Sequence, residues 1–293
     1  MINFVMDIIR GILIGIANVI PGVSGGTMAV SLGIYDKLIS SLTGIFKNFK
    51  KSIQFLVPVI LGAGIGIVGF AFMIEWLFEK YPLATSLTFV GLILGGIPIL
   101  VKNLKGDLTK NRKKLGIGHI IAFILLFAFA IVMSMLSGGD TGVVLDKLNV
   151  GTICILFLIG MVASATMVIP GVSGSMVLMI LGYYTAIITA ITDFLSALKA
   201  MDMPALLHGF GILFPFGIGV IVGIFVIAKI IEFLFKRFCS MTYSAILGLI
   251  IASPFAIFIS MGGISIKPLE LIIGIILLAV GGIVTYRLGE SEK

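Results

Sequence analysis

Long apolar stretches separated by short polar segments make up most of this chain. We predict ten apolar blocks, near residues 4–20, 26–46, 53–78, 85–101, 119–136, 151–169, 175–195, 209–235, 242–260 and 269–287. A helix needs about 20 apolar residues to cross a bilayer. Continuous apolar runs also differ from the alternation of a transmembrane β-barrel. The pattern therefore predicts an all-α polytopic membrane protein.

Composition and charge agree with this class. Of the 293 residues, 59% are hydrophobic and 11% are charged, and the mean hydropathy is +1.26. The net charge of +7 does not indicate nucleic acid, because the basic residues lie in short connections that set membrane orientation. The two cysteines form no CxxC pattern, and His119 and His208 are isolated. We expect no disulfide, no metal and no cofactor. The N-terminus lacks signal-peptide features, so we expect it to be retained.

One motif occurs twice, each time between two apolar segments. Residues 20–27 read IPGVSGGT and residues 169–176 read IPGVSGSM. Irregular backbone inside a bilayer is tolerated where protein buries it or where it lines a water-filled cavity. The small residues after each proline would start a helix, and a helix start attracts anions. We predict that the two copies form facing halves of one anion site.

The motif copies belong to a duplication that covers nearly the whole chain. An offset of 149 pairs Gly11 with Gly160 and Tyr35 with Tyr184, and an offset of 157 pairs Gly62 with Gly219. We predict one transmembrane domain made of two repeats, residues 1–150 and 151–293. The predicted parts are a hairpin at about 4–46 with helices at about 53–136, and a hairpin at about 151–195 with helices at about 209–287.

An odd number of crossings in each repeat would invert the second copy, an arrangement common in transporters. With both termini cytoplasmic, 14 of the 20 basic residues lie on the cytoplasmic side and four in the opposite connections. This asymmetry supports inversion. Each half then has either five spans or three transmembrane helices plus a re-entrant hairpin. We favour the hairpin, because an uncharged motif suits a tip buried at the midplane.

The candidate anion-binding residues follow the two prolines. They are Gly22, Ser24, Gly25, Gly26, Thr27, Gly171, Ser173, Gly174 and Ser175. Small residues also let membrane helices pack closely. Packing alone, however, does not require the same six-residue string twice. ATP-driven transport is unsupported, because no phosphate-loop lysine follows either glycine run.

Four other polar residues are candidates for a function. Arg10 would attract an anionic head group or extend to lipid phosphate, and Asn18 is polar within the first block. Glu75 and Glu232 occupy equivalent repeat positions and are candidates for ion coupling. Both lie near block ends, so interface anchoring and a Lys229–Glu232 pair on one helix explain them adequately, and we favour this interpretation over ion coupling.

The two motifs resemble the signatures of a known family. Residues 15–27 (GIANVIPGVSGGT) with LGIY at 32–35, and residues 169–175 (IPGVSGS) with LGYY at 181–184, are similar to the bacterial polyprenyl-phosphate transporter family, PopT. The resemblance spans essentially the whole chain. It implies a transporter, not an enzyme, in the bacterial cytoplasmic membrane. Its partners would be membrane lipids and undecaprenyl phosphate, returned from the outer to the inner leaflet for reuse in cell-wall synthesis.

Two other functions fit parts of the pattern. A secondary transporter of a small soluble anion would use the same helix-end chemistry. A membrane undecaprenyl-diphosphate phosphatase would need an acid/base group and strong cationic stabilisation. The motif serines have no adjacent Glu, His or Arg, which argues against catalysis.

Overall fold

A computed structural model describes residues 2–19, 23–112, 114–136, 143, 145, 148–260 and 267–290. These residues form helices and connecting turns, with no strand among them. The helices are α1 (Ile2–Val19), α2 (Gly25–Ser31), α3 (Tyr35–Thr43), α4 (Phe49–Lys80), α5 (Pro82–Leu94), α6 (Ile97–Lys110), α7 (Ile117–Leu136), α8 (Val150–Val168), α9 (Gly174–Ile180), α10 (Tyr184–Ala200), α11 (Met203–Ser260) and α12 (Pro268–Glu290). Helix α11 is broken at Phe238, whose φ of −136° and ψ of 47° are not helical.

The described helices confirm the all-α polytopic class. Six segments are long and apolar enough to cross a membrane: Phe49–Phe70, Pro82–Lys110, Ile117–Leu136, Val150–Val168, Met203–Ile259 and Pro268–Glu290. A seventh is reached if α9 and α10, which bend by 110° at their junction, count as one span. The choice between re-entrant hairpins and five spans in each half stays a prediction.

The two motif helices have matching bounds. Helices α2 and α9 each have seven residues, and both of their ends differ by the offset of 149. Each is followed by a glycine in the left-handed region, Gly33 with a φ of +73° and Gly182 with a φ of +77°. The N–H of Ile34 bonds to the carbonyl of Ala29, and Tyr183 repeats this bond in the second copy. Both helices therefore end in a Schellman motif, for which glycine is the favoured residue.

Glycines bring α1 and α4 into backbone contact. A Cβ added to Gly11 would lie 2.3 Å from the carbonyl oxygen of Val59, and one added to Gly62 would lie 2.2 Å from that of Ile8. Helices α8 and α11 pack in the same way, since a Cβ on Gly160 would lie 2.2 Å from the carbonyl oxygen of Phe216. Small residues at such contacts allow helices in lipid to approach closely.

Two further helix pairs each combine one helix from the first half of the sequence with one helix from the second half. We call them the exchanged pairs. Helix α5 packs on α12, where a Cβ on Gly91 would lie 2.1 Å from the carbonyl oxygen of Leu278. The part of α11 after Phe238 packs on α7, where a Cβ on Gly248 would lie 2.3 Å from the carbonyl oxygen of Phe123. Gly91 and Gly248 are equivalent at the offset of 157. Each half thus provides one helix to a pair completed by the other half.

The chain forms two compact units. The first comprises Met1–Met135, Ile169–Val172 and Ala228–Lys293, and the second comprises Leu136–Val168 and Ser173–Ile227. Both exchanged helix pairs belong to the first unit, which explains why that unit draws on both ends of the chain. The predicted repeats follow sequence similarity rather than contact, and they stay a prediction.

Candidate functional site

The first motif copy begins α2, and side chains of the same chain accept from two of the first N–H groups of this helix. Ser24 is the N-cap, with extended backbone, and its Oγ accepts a hydrogen bond of 3.1 Å from the N–H of Thr27. The Oδ1 of Asn18, at the end of α1, accepts a bond of 2.9 Å from the N–H of Gly25. Side chains that accept from the first turn satisfy donors that the helix itself leaves open. Asn18 is thus a capping residue of α2, a role that the sequence did not reveal.

The second copy begins α9 without this side-chain capping. Ser173 also has N-cap backbone geometry, but its side chain makes no capping bond. Its Oγ lies 2.8 Å from the Oγ of Ser175, and Ser175 is exposed. The residue equivalent to Asn18 is Met167, and a Cβ on Gly174 would lie 2.7 Å from the Cγ of Met167. A thioether cannot replace the amide oxygen as a strong acceptor. The start of α9 is therefore better supplied with available donors than the start of α2.

The two motif copies touch within the first unit. The N–H of Gly171 donates a hydrogen bond of 2.6 Å to the Oγ1 of Thr27, and this oxygen lies 3.0 Å from the Oγ of Ser24. Thr27 is fully buried and Ser24 is 4% exposed. Gly171 has a φ of +78°, a conformation that favours glycine. That the copies form facing halves of one anion site stays a prediction; this hydrogen bond is a contact between them that the structure shows.

The structure describes three of the four remaining motif glycines. Gly25, Gly26 and Gly174 are buried at the starts of their helices. Gly22, the equivalent of Gly171, lies outside the described residues. Chemically, the described motif groups are amide N–H groups and hydroxyls, so any interaction they make with an anion uses partial charges rather than a full positive charge.

Arg10 is buried rather than extended to the membrane surface. It is 3% exposed, its Nη1 lies 2.9 Å from the Oδ1 of Asp7, and its Nη2 donates a bond of 3.1 Å to the carbonyl of Leu288 in α12. The suggested extension to lipid phosphate is therefore wrong, because the guanidinium lies inside the protein. The sequence did not lead us to predict a role for Asp7, although residues three apart on a helix are neighbours and this spacing indicates a pair with Arg10.

Of the two glutamates proposed for ion coupling, the structure describes the side chain of one. Glu232 forms an ion pair with Lys236, one helical turn further along α11. The suggested pair with Lys229 is replaced by this i,i+4 pair. Glu75 lies in α4, but its side chain is outside the described part of the structure.

Two further polar contacts were missed by sequence reasoning. The buried Glu270 of α12 accepts hydrogen bonds from Leu83 N–H at 2.8 Å and Ala84 N–H at 3.3 Å, at the start of α5. A carboxylate there is favoured by the helix dipole. The hydroxyl of Tyr243 donates to Asp36, which joins α11 to α3. Both contacts connect segments that are distant in sequence, so local patterns could not reveal them.

These features define a polytopic helical membrane protein with a duplicated Pro-Gly motif at two helix starts. Residues 14–266 match the VCA0040-like family, described as undecaprenyl phosphate translocase-like, and the chain belongs to that family. It is 32% identical over 290 residues to a polyprenyl-phosphate transporter of Staphylococcus aureus (strain NCTC 8325 / PS 47), covering 97% of this chain and 96% of that protein.

The chain is also similar to a second polyprenyl-phosphate transporter. The chain is 27% identical over 268 residues to a polyprenyl-phosphate transporter of Vibrio cholerae serotype O1 (strain ATCC 39315 / El Tor Inaba N16961), covering 86% of this chain and 76% of that protein. No solved structure matches the chain.

Proposed function

We propose that this protein transports undecaprenyl phosphate from the outer to the inner leaflet of the bacterial cytoplasmic membrane, so that the carrier lipid is reused in cell-wall synthesis. Family membership and the names of both relatives support polyprenyl phosphate as the substrate. The distribution of basic residues supports cytoplasmic termini. On this proposal the protein is a transporter and catalyses no hydrolysis.

Both motif copies bind the phosphate head group in the proposed mechanism. The observation that carries this idea is the 2.6 Å bond from the Gly171 N–H to Thr27, which joins the two copies. When the contact between the two copies opens, a phosphate oxygen replaces the Thr27 hydroxyl as the acceptor for the Gly171 N–H. A hydrogen bond to an ionised group is stronger than one between neutral groups, so the exchange favours the bound lipid.

The chemistry of the motif suits transport. A polyprenyl phosphate has a small anionic head and a long apolar tail, so only the head needs a polar path through the hydrocarbon. Amide and hydroxyl donors bind the head without a full positive charge, which keeps release fast. The tail stays in lipid, and the two repeats rock about the bound head to expose it to either leaflet.

The test is leaflet exchange of undecaprenyl phosphate in liposomes that hold the purified protein. A parallel sample receives undecaprenyl diphosphate and is followed for free phosphate. Exchange without phosphate release is the expected result. Phosphate release would identify a phosphatase instead, and the absence of both signals would favour a carrier of small soluble anions.

A further inference from the structure

The second unit contains an open cavity between helix α10 and the start of α11. Its volume is about 680 Å³. The two helices pack closely beside it, since a Cβ on Gly209 would lie 3.0 Å from the Cδ2 of Phe194. Another wall is formed by Val143, whose N–H donates a 3.0 Å hydrogen bond to the carbonyl of Gly182, just after α9. The cavity therefore extends to the region where the second motif helix ends and α10 begins.

A row of polar side chains on α10 lines this cavity. Thr185, Thr189 and Asp193 are spaced four residues apart, so they share one face of the helix. The row covers about 12 Å along the helix axis, and all of it belongs to the predicted apolar block 175–195. Ionisable residues in transmembrane segments are rare and face the protein interior or a water-filled cavity. Asp193 is thus a candidate functional residue that the sequence analysis missed.

The cavity is acidic. Its described lining residues include two carboxylates, Asp193 and Asp202, and one imidazole, His208, with no lysine or arginine among them. The Oδ1 of Asp202 accepts a 3.2 Å hydrogen bond from the N–H of Ala205, so Asp202 caps α11. Within the described part of the chain, the carboxylate of Asp193 has no hydrogen-bond or ion-pair partner. Asp193 is therefore the carboxylate available to a ligand.

The surroundings of Asp193 favour a cation. Lys199, in the last turn of α10, is exposed and does not line the cavity. Helix α8, which packs behind the cavity through Leu156, has no charged residue. The C-terminal end of α10 adds a partial negative charge. An anionic head group would be repelled here, whereas a cation would be attracted.

We propose that this cavity admits protons from the outer side of the membrane and that Asp193 binds the proton whose entry drives lipid transport. This inference rests on the proposed function. The connections that border the cavity, near residues 137–149 and 201–202, are among those assigned to the outer side by the distribution of basic residues. A single carboxylate suffices for a proton, and no group of three His, Cys, Asp or Glu residues that could hold a metal ion occurs in the described part of the chain.

A proton that enters with the lipid offsets the charge of the head group. A phosphate monoester carries about −1.5 to −2 charges at neutral pH. The inside-negative membrane potential opposes the movement of each of these charges to the inner leaflet, so one accompanying proton reduces the opposing work. Glu232, the other described carboxylate considered for ion coupling, is paired with Lys236, whereas Asp193 has no such partner.

A pH gradient across liposomes that hold the full-length protein tests the coupling. The lipid is undecaprenyl phosphate, and potassium with valinomycin clamps the membrane potential at zero. The ratio of the lipid between the two leaflets is measured at equilibrium. One coupled proton should shift this ratio about tenfold toward the alkaline side for each pH unit, which is the ratio of the proton concentrations. A sodium gradient at equal pH should leave the lipid equally distributed.

Variants of Asp193 identify the proton site. Asp193→Asn keeps the shape of the side chain but cannot bind the proton, so the pH-driven accumulation should be lost. Asp193→Glu keeps a carboxylate on the same face of α10 and should restore most of the accumulation. The matched control is Glu79→Gln, which removes an exposed carboxylate near the end of α4 and should accumulate lipid as the wild-type protein does. Thermal unfolding of each variant checks that it is folded.

The outcomes separate this inference from the proposed function. Wild-type accumulation by Asp193→Asn would overturn the inference, as would accumulation driven by the sodium gradient instead of the pH gradient. Leaflet exchange by the wild-type protein without any pH-driven accumulation would reject the inference alone. Absence of exchange by the wild-type protein would reject the proposed function and, with it, the coupling.

Discussion

The amide of Gly171 donates a 2.6 Å hydrogen bond to the hydroxyl oxygen of Thr27, which lies 144 residues earlier in the chain. This bond ties the proline end of one motif copy to the first helical turn of the other. Thr27 is fully buried. If its hydroxyl is removed, bulk water does not take its place as the acceptor for the Gly171 N–H.

Thr27→Val should therefore destabilise the protein. It preserves the shape of the side chain but leaves a buried donor unsatisfied, which costs about 1–3 kcal/mol. Denaturant unfolding of the purified protein in micelles measures the loss. Thr27→Ser keeps the hydroxyl and should be closer to the wild-type protein. Equal stability of the valine and serine variants would show that the bond contributes nothing.

Ser173→Leu should slow leaflet exchange without unfolding the protein. Ser173 is half-buried and makes no capping bond, and its hydroxyl contacts only that of the exposed Ser175 among the hydrogen bonds of the described residues, so a ligand can replace this contact. A hydrogen bond to an ionised group contributes about 1.5–3 kcal/mol, which corresponds to roughly a tenfold loss or more. Ser196→Leu, on an exposed face of α10, is the control. Wild-type exchange by Ser173→Leu would remove this residue from the proposed site.

The equivalent Ser24→Leu variant should behave differently. Ser24 is buried and caps α2, so leucine would remove the cap and crowd the surrounding atoms. Losing an N-cap costs about 0.5–2 kcal/mol, and overpacking adds about 1–3 kcal/mol. A lower melting temperature for Ser24→Leu than for Ser173→Leu checks this difference between the copies; identical melting temperatures would contradict it.

Asn18→Ala should loosen the start of α2. The variant removes the acceptor for the Gly25 N–H, and losing such a cap costs about 0.5–2 kcal/mol. Hydrogen exchange of peptides covering residues 23–31 should accelerate. Met167→Ala at the equivalent position removes no acceptor and is the matched control. Similar acceleration at α2 and α9 in the two variants would reject a capping role for Asn18.

Arg10→Met should be strongly destabilising, because it leaves the buried carboxylate of Asp7 without the guanidinium. Breaking a buried ion pair costs about 3–5 kcal/mol. The double variant Asp7→Asn/Arg10→Met removes both charges and should recover part of this loss in thermal unfolding. If the double variant is no more stable than Arg10→Met, the pair is not the cause.

Gly248→Ala should weaken the exchanged pair of α11 and α7, since the added Cβ would lie 2.3 Å from the carbonyl oxygen of Phe123. Overpacking of this kind costs about 1–3 kcal/mol. Gly64→Ala is the control, because nothing lies within 4 Å of its added Cβ. Thermal unfolding compares the two variants, and equal melting temperatures would argue against close packing at Gly248.

Local features of the motif were predictable because they depend on nearby residues. Proline and glycine prevent a continuous helix, and α2 and α9 begin at Gly25 and Gly174 as the sequence indicated. Unequal capping was harder to predict. Asn18 was visible as the polar equivalent of Met167, but only the fold shows its oxygen at the N–H of Gly25. Burial of Arg10 likewise depends on α12, whose Leu288 carbonyl accepts from it.

By itself, the sequence determined the membrane class, the helical secondary structure, the duplicated motif and the family resemblance. Apolar composition requires backbone hydrogen bonds to be made within each segment, and this requirement selects helices. Tertiary structure alone decided that α5 pairs with α12 and that α7 pairs with α11. Many apolar helices are equally suited to lipid, so partner choice depends on the fit between small residues and facing backbone. That fit exists only once the helices are assembled.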